Sequence, residues 1–354
     1  MTSRLFLFYI AFLYVGSVHA QVVLSADGPG TTYEHINSVL APGYNAVEVP
    51  DCIHADFGRH IDEIFDTEVN ANVFRFYAHK TPDNDRCINF DRQRTEIKTY
   101  NASPDNLKGT LGETVEYKWK FKIDINFQAS TSFTHLHQIK SVDGQYASIP
   151  MITLTARKAN PDRIELRYTS TNNQNTIQTS NLDEFRGEWV AVTEQITFSD
   201  NGSYSIEIIR LSDNVNLLSY SNSSIDTWQD GASFARPKWG IYRSLNNSTD
   251  LRDEYVLFNN FSIEELDLLS DSDLDIEHED LTLFPNPVQN SVRISPIESI
   301  DDLHLFNSLG KEIDITNRIK KNETLDISGL ESGIYFLKII KGNQIIKTLK
   351  CIVN

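Results

Sequence analysis

The sequence predicts an all-β protein, an antiparallel jelly roll followed by a small C-terminal β-sandwich, and three observations predict it. Strand-like alternation recurs in "NVFRFYAH", "TVEYKWKFKIDINF", "RIELRYTS", "EWVAVTEQITF", "YSIEIIRL" and "EYVLFNNFSIEEL". Turn signals separate these runs, at Asp143-Gly144 and at Asp200-Asn201-Gly202. Beyond roughly the first fifty residues there is no long amphipathic helical pattern, only a short turn expected near Ile61 to Phe65. Many short strands with regular turns are the pattern of a sandwich or jelly roll, whose curved sheet has a concave face.

In chain order, "MTSRLFLFYIAFLYVGSVHA" combines Arg4, an apolar run and a Val18-His19-Ala20 end, which is a secretory signal with cleavage expected before Gln21. It is too short to be kept as a membrane span, and no other segment approaches membrane length. The 354 residues then divide into a signal at 1–20, the jelly roll at 21–266, an acidic linker at 267–280 and the small sandwich at 281–354. Export permits disulfides, and of the three cysteines Cys52 and Cys87 are the expected pair, leaving Cys351 over.

A net charge of −17 excludes a nucleic-acid binder, since no basic face is present to displace counterions from a phosphate backbone. Much of that charge lies in "EELDLLSDSDLDIEHED", Glu264 to Asp280, which holds no Lys or Arg. Its spacing lacks the glycine and terminal glutamate of a calcium-binding EF-hand loop, so it reads as a solvated linker.

From Leu281 the chain runs "LTLFPNPVQNSVRIS", "LHLFNSLGKEI" and "LDISGLESGIYFLKIIKGNQIIKTLKCIVN", short strands between Asn-Pro, Leu-Gly and Gly-Asn turns with no cluster of titratable groups. These residues resemble the C-terminal sorting domain of the type IX secretion system of Bacteroidetes, with its "FPNP", "LGK" and "GIYFLKI" landmarks. The resemblance implies a secreted protein that engages the type IX machinery and loses its tail, and Cys351 with it.

Three stretches of the jelly roll could line a groove. In "QRTEIK" the residues Arg94, Glu96 and Lys98 share a strand face, although a solvated edge strand would carry the same charges. In "FTHLHQIK" the period of two puts Gln138 and Lys140 on one face and His135 and His137 on the other, although buried paired histidines would also fit. In "PKWGIYRS" the residues Lys238, Gly240 and Tyr242 share a face while Trp239, Ile241 and Arg243 alternate with them, a pattern that core packing of Trp239 and Ile241 also explains. A His-x-His pair alone is a weak metal signal, and no metal is assigned.

Together the three strands resemble the motif strands of jelly-roll polysaccharide lyases of the alginate-lyase type: Arg-x-Glu, Gln-Ile-His and Lys-x-Gly-x-Tyr. "RTEIK", "QIK" and "KWGIY" stand in the matching places, with Lys140 where alginate lyases have histidine. That departure is more similar to polysaccharide lyase family 28, the ulvan lyases of marine Bacteroidetes, which use a Lys and Tyr pair. The resemblance implies a concanavalin-like jelly roll that cleaves a uronate-containing algal polysaccharide by β-elimination.

The residues can be set against that chemistry. Removing the C5 proton of a uronate spreads charge onto its carboxylate, which donors must neutralise; Gln138 and Arg94 or Arg243 are the candidates. Glu96, His137 and Lys238 are further candidate groove residues. Lys140 serves as base if burial and neighbouring cations lower its pKa, with Tyr242 as the acid. The reverse assignment of those two stays open, as does the register in which His137 lines the groove and becomes the base. The elimination itself requires no cofactor, and a structural calcium is the one ion left open. Two other classes compete. A carbohydrate-binding module would use the same groove with Trp119 and Trp239 as platforms, and another polyuronate such as glucuronan or alginate could replace ulvan. A concanavalin-like glycoside hydrolase needs two carboxylates across the groove, and only Glu96 is in view.

Overall fold

The computed structural model describes residues 21–266 and, in the C-terminal part, residues 282–295, 302–307, 311–315, 319–320, 324–341 and 344–353. The expected signal and linker lie outside the described residues. The chain forms two compact units, residues 1–269 and 270–354.

Among the described residues, fifteen strands build the first unit: β1 (Val22–Leu24), β2 (Val47–Glu48), β3 (Ile61–Asp66), β4 (Ala71–Ala78), β5 (Arg92–Lys98), β6 (Thr114–Ile123), β7 (Thr134–Val142), β8 (Ile152–Arg157), β9 (Arg163–Tyr168), β10 (Asn175–Asn181), β11 (Trp189–Thr197), β12 (Gly202–Arg210), β13 (Asn216–Ile225), β14 (Phe234–Ser244) and β15 (Glu254–Leu266). They form two antiparallel sheets. One runs β13-β12-β11-β6-β15-β4-β3, with β1 also paired to β15; the other runs β10-β9-β8-β7-β14-β5-β2. Strands adjacent in space are often distant in sequence, as β5 beside β14 and β6 beside β15, which is the jelly-roll pattern expected.

Alternation in the sequence becomes two-sidedness in the sheet. On β6, Val115, Tyr117, Trp119, Phe121 and Ile123 enter the core, while Glu116, Lys118, Lys120 and Lys122 between them are only partly buried. Facing them from the second sheet are Ile97, Leu136, Ile139, Leu154, Trp239 and Ile241. The one α-helix among the described residues, Thr32–Leu40, adds Thr32, Ile36 and Leu40, one face at a spacing of four.

The expected turn at Ile61 to Phe65 is instead strand β3, paired with β4 from Ile61↔Phe76 to Asp66↔Ala71. Its burial alternates at Ile61 and Glu63, so tertiary pairing overrides a weak local signal. The Cys52–Cys87 disulfide is present, and it ties the segment after the helix to the connection between β4 and β5.

In the second unit the described residues form two four-stranded sheets. Its core contains Val292, Ile294, Leu305, Leu337, Ile339 and Cys351, the last a free and buried cysteine.

Candidate active site

The face of the seven-stranded sheet turned away from the core carries a cavity of about 690 Å³, floored by β5, β7 and β14. Among the described residues, nine Lys and Arg side chains line it against one carboxylate, Glu48. A chain of net charge −17 thus concentrates positive charge in one place.

The register between β5 and β14 sets Lys238 opposite Lys98, Gly240 opposite Glu96 and Tyr242 opposite Arg94, so the three expected groove faces do converge. Gly240 is required for that closeness: it has φ +147°, and a Cβ there would lie 2.1 Å from the Thr95 carbonyl oxygen. Beneath the cavity, Glu96 is fully buried and accepts from Arg94, Gln138 and Lys238, the last at 3.1 Å. Glu48 receives Lys98 at 2.7 Å, Arg86 at 2.7 Å and Lys238. Burial pushes the Glu48 carboxyl up, but Lys238, Arg94, Lys98 and Arg86 together hold it far below the usual carboxylate range. Arg94 is fixed from the other side by Asp85 at 2.8 Å. Glu96, expected as a groove residue, therefore lies under the groove rather than on its surface.

Lys140 stands apart from this network. Its Nζ donates to the Ser148 carbonyl at 3.0 Å, and among the described residues it makes no ion pair. Burial, and then the charges of Lys238, Arg94 and Arg236, lower its pKa to about 8. Tyr242, 9 % exposed, accepts a hydrogen bond from Arg92 Nη1 at 3.0 Å, and the Arg94 guanidinium lies 3.6 Å above its ring centre. A phenol oxygen that accepts from Arg92 still has its own proton to give. Along β7, Gln138 lies between the position opposite Tyr242 and Lys140.

Besides Glu96, His137 and Arg243 lie outside the groove, while His135, expected on the other face, takes a place in it. His137 is in the core: its Nε2 is 2.8 Å from Glu194 Oε2, and its ring lies 4.4 Å from that of Trp119. Arg243 is also beneath the sheet and fully buried, donating to Gln93 at 2.6 Å and to the Ala78 carbonyl at 3.0 Å. His135, expected on the same face as His137, instead lines the groove, with Nδ1 2.7 Å from Thr155 Oγ1 and its ring 5.9 Å from that of Tyr242. The reason is an irregularity in β7. His135 pairs with Thr155 and His137 with Leu154, so two steps on β7 match one on β8. Leu136 is the additional residue, and the period of two breaks there. Trp119 and Trp239, considered as sugar platforms, are both core residues.

Arg92, Arg236, Arg157 and Arg167 also line the cavity and were not singled out in the sequence. Arg92 could have been found by extending the β5 face by one step of two; the others come from strands whose function depends on sheet order.

Residues 282–354 match the family described as the secretion system C-terminal sorting domain, which indicates export by the type IX system to the cell surface or the exterior. Among the described residues, no helix is long and apolar enough to cross a membrane. No curated protein matches the chain. Among solved structures, it is similar to the endo-β-1,4-glucuronan lyase of the fungus Trichoderma reesei, at 15 % identity and a TM-score of 0.43, over 58 % of this chain and 87 % of that one. It is also similar to the PL-14 alginate lyase of Aplysia kurodai, at 14 % identity and a TM-score of 0.47, over 70 % of this chain and 100 % of that one. At these scores the likeness carries no information on substrate or mechanism.

Proposed function

We propose that this protein is a secreted polysaccharide lyase that cleaves a uronate-containing polymer by β-elimination, with a sulfated, ulvan-like polysaccharide as its substrate. One observation carries the reading: a cationic groove holds a lysine with a pKa near 8 on one side of Gln138 and a tyrosine hydroxyl on the other. A polyanion would be drawn to the groove, and its carboxylate would be met by the amide of Gln138 and the guanidinium of Arg94. Neutral Lys140 takes the C5 proton. The electrons left behind form the C4–C5 double bond as the C4–O bond breaks, and Tyr242 gives its proton to the departing oxygen. Lys238, Arg94 and the backing carboxylates are in place before the reaction, so charge gathering on the uronate meets dipoles that need little rearrangement.

A second assignment within the same reaction has its own observation. His135 is the cross-strand neighbour of Tyr242, so a His135 and Tyr242 pair could move both protons. Burial, together with Arg157, Arg94 and Arg167 against the opposing effect of Glu96, lowers the His135 pKa to about 3. Such an imidazole is neutral but a weak base, which favours Lys140.

The competing classes fare less well on the same geometry. A hydrolase needs one carboxyl with a raised pKa across the groove from another, whereas Glu48 and Glu96 are both held low by their cations. A stacking module would need exposed aromatic platforms, and both tryptophans considered for that role are buried. The test is to incubate the purified chain with ulvan, glucuronan, alginate and heparin and follow the absorbance of unsaturated uronate. Turnover on ulvan that Lys140→Met and Tyr242→Phe each abolish is the expected result. Retained turnover in Lys140→Met with loss in His135→Ala selects the second assignment, and no absorbance with any of the four polymers overturns the lyase.

A further inference from the structure

Away from the groove, the segment "DCIHADFGRH", Asp51 to His60, lies against the connection that joins β4 to β5, and Cys52–Cys87 pins the two together. Between them His54, His60, His79 and Asp83 turn inward, each offering one ligand atom, and these four atoms all lie within 4.8 Å of one another. His54 Nδ1 is 2.8 Å and His60 Nε2 3.1 Å from Asp83 Oδ1, while His79 Nδ1 is 3.1 Å from Asp83 Oδ2.

We propose that His54, His60, His79 and Asp83 form a binding site for one zinc-class divalent cation, with a structural role. Three imidazole nitrogens and one carboxylate oxygen are the donors that zinc takes in tetrahedral sites, at about 2.0–2.2 Å. Those bond lengths imply ligand-to-ligand separations of about 3.3 Å. The two distances to Asp83 Oδ1, 2.8 and 3.1 Å, fall a few tenths of an ångström short of that, and His79 Nδ1 approaches the other oxygen of the same carboxylate at 3.1 Å, so a small outward shift admits the ion. Calcium and magnesium prefer all-oxygen shells, and a set of three nitrogens selects against them.

The outer shell has the form such sites need. His60 Nδ1 is held at 2.7 Å by Asp51 Oδ1, and the Tyr33 hydroxyl donates to Asp51 Oδ2 at 2.9 Å. A carboxylate on the far nitrogen fixes the ring and leaves Nε2 as the ligand atom. The His79 backbone N–H donates to Asp83 Oδ2 at 2.7 Å, so the carboxylate is fixed too. The Phe57 ring covers all three imidazoles, with centroids 5.3 Å from His54, 4.9 Å from His60 and 4.2 Å from His79. With four protein ligands no coordination position is left for substrate, which marks a structural rather than a catalytic site.

The position gives the ion a task. Gln93 on β5 donates to the Asp83 carbonyl at 3.2 Å, and the same connection supplies Asp85 to Arg94. A cation on Asp83 would hold one end of β5, the strand that carries Arg92 and Arg94.

The full chain, stripped with dipicolinate and dialysed, is titrated with Zn²⁺ against a chromophoric chelator and separately with Co²⁺. One equivalent of each is expected, the Co²⁺ form showing the visible bands of tetrahedral nitrogen and oxygen ligation, with a zinc-dependent rise in melting temperature that Ca²⁺ does not reproduce. His54→Ala and His79→Ala, at the two partly exposed ligands, should each weaken zinc at least 100-fold. Asp51→Asn should weaken it about 10- to 100-fold, with the ligands intact. Wild-type protein that takes up no zinc from the chelator, or variants of both histidines that bind as well as wild type, would overturn the site. The Co²⁺ spectrum of the wild type decides the question even if a variant fails to fold.

Discussion

Arg236 on β14 lies directly across from Lys140 on β7, and among the described residues neither forms a salt bridge. Arg236 donates one N–H to the Thr99 carbonyl at 3.0 Å, while its buried Nε has no partner. Burial is the first cause of the lysine's lowered pKa, and the positive charges of Lys238, Arg94 and Arg236 add to it, so the ammonium is the cation most easily deprotonated. The sheet register therefore gives Lys140 a property that its neighbours in sequence do not supply.

That relationship sets the pH dependence. Lys140 acts as base only when neutral, so turnover should rise as pH increases through about 8 and level off above it. Removing a neighbouring positive charge raises the lysine pKa, so Arg236→Met should move this limb to higher pH. Glu96 opposes the shift, so Glu96→Gln should move it to lower pH. pH profiles of kcat for the three proteins check this. A turnover that falls through the same range would make Lys140 the acid.

Loss of a positioned acid or base commonly lowers rate by about 10² to 10⁴. Lys140→Met and Tyr242→Phe should fall by at least that much in kcat, with polymer binding nearly unchanged. Gln138→Ala should instead raise KM and lower kcat together, because its amide is proposed to meet the carboxylate in the ground state and more strongly as charge builds. Steady-state kinetics alongside affinity electrophoresis separates the two patterns.

His137 joins the two sheets through Glu194, which also accepts from the Tyr204 hydroxyl at 2.8 Å. His137→Ala removes a partner from a buried carboxylate and should destabilise the fold by roughly 3 kcal/mol. Denaturant unfolding measures that loss, and at low temperature the remaining folded protein should keep its pH profile. An altered profile in folded His137→Ala would place the imidazole in the chemistry.

Substrate attraction by the groove should weaken with salt, since exposed charge is screened over about 10 Å at 0.1 M. kcat/KM on an anionic polymer should fall steadily with added NaCl, and a neutral glucan should not be cleaved. A rate indifferent to salt would remove the electrostatic basis of recognition.

Gly240→Ala should be poorly tolerated, because its Cβ would enter the Thr95 carbonyl at 2.1 Å and the backbone there has a positive φ. The strain would push β14 from β5, separating Tyr242 from Arg94. Thermal melting should show lower stability, and turnover should drop even in the folded fraction.

Much of this was present in the order of the residues. Alternation on β6 and β15 predicts two-sided strands because a strand's side chains must alternate. The same rule places Arg94, Glu96 and Lys98 together, and Lys238 with Tyr242, because β5 and β14 pair without a break from Lys238↔Lys98 to Ser244↔Arg92. The Cys52–Cys87 pairing was likewise expected from the sequence, with Cys351 left to the C-terminal sorting tail. What only the folded sheet decided is which residues of β7 face outward. An irregularity at Leu136 is set by the partner strand, so His135 reaches the groove while His137 goes to the core, and no local rule in "FTHLHQIK" announces it. The cluster of His54, His60, His79 and Asp83 was hidden for a related reason. Its members come from two segments brought together by a disulfide and by β3 pairing with β4, and their spacing in the chain matches no local ligand motif. The lowered pKa of Lys140 is the same kind of fact, because it depends on burial and on the charges of β5 and β14, which the sequence holds far apart and the sheet sets side by side.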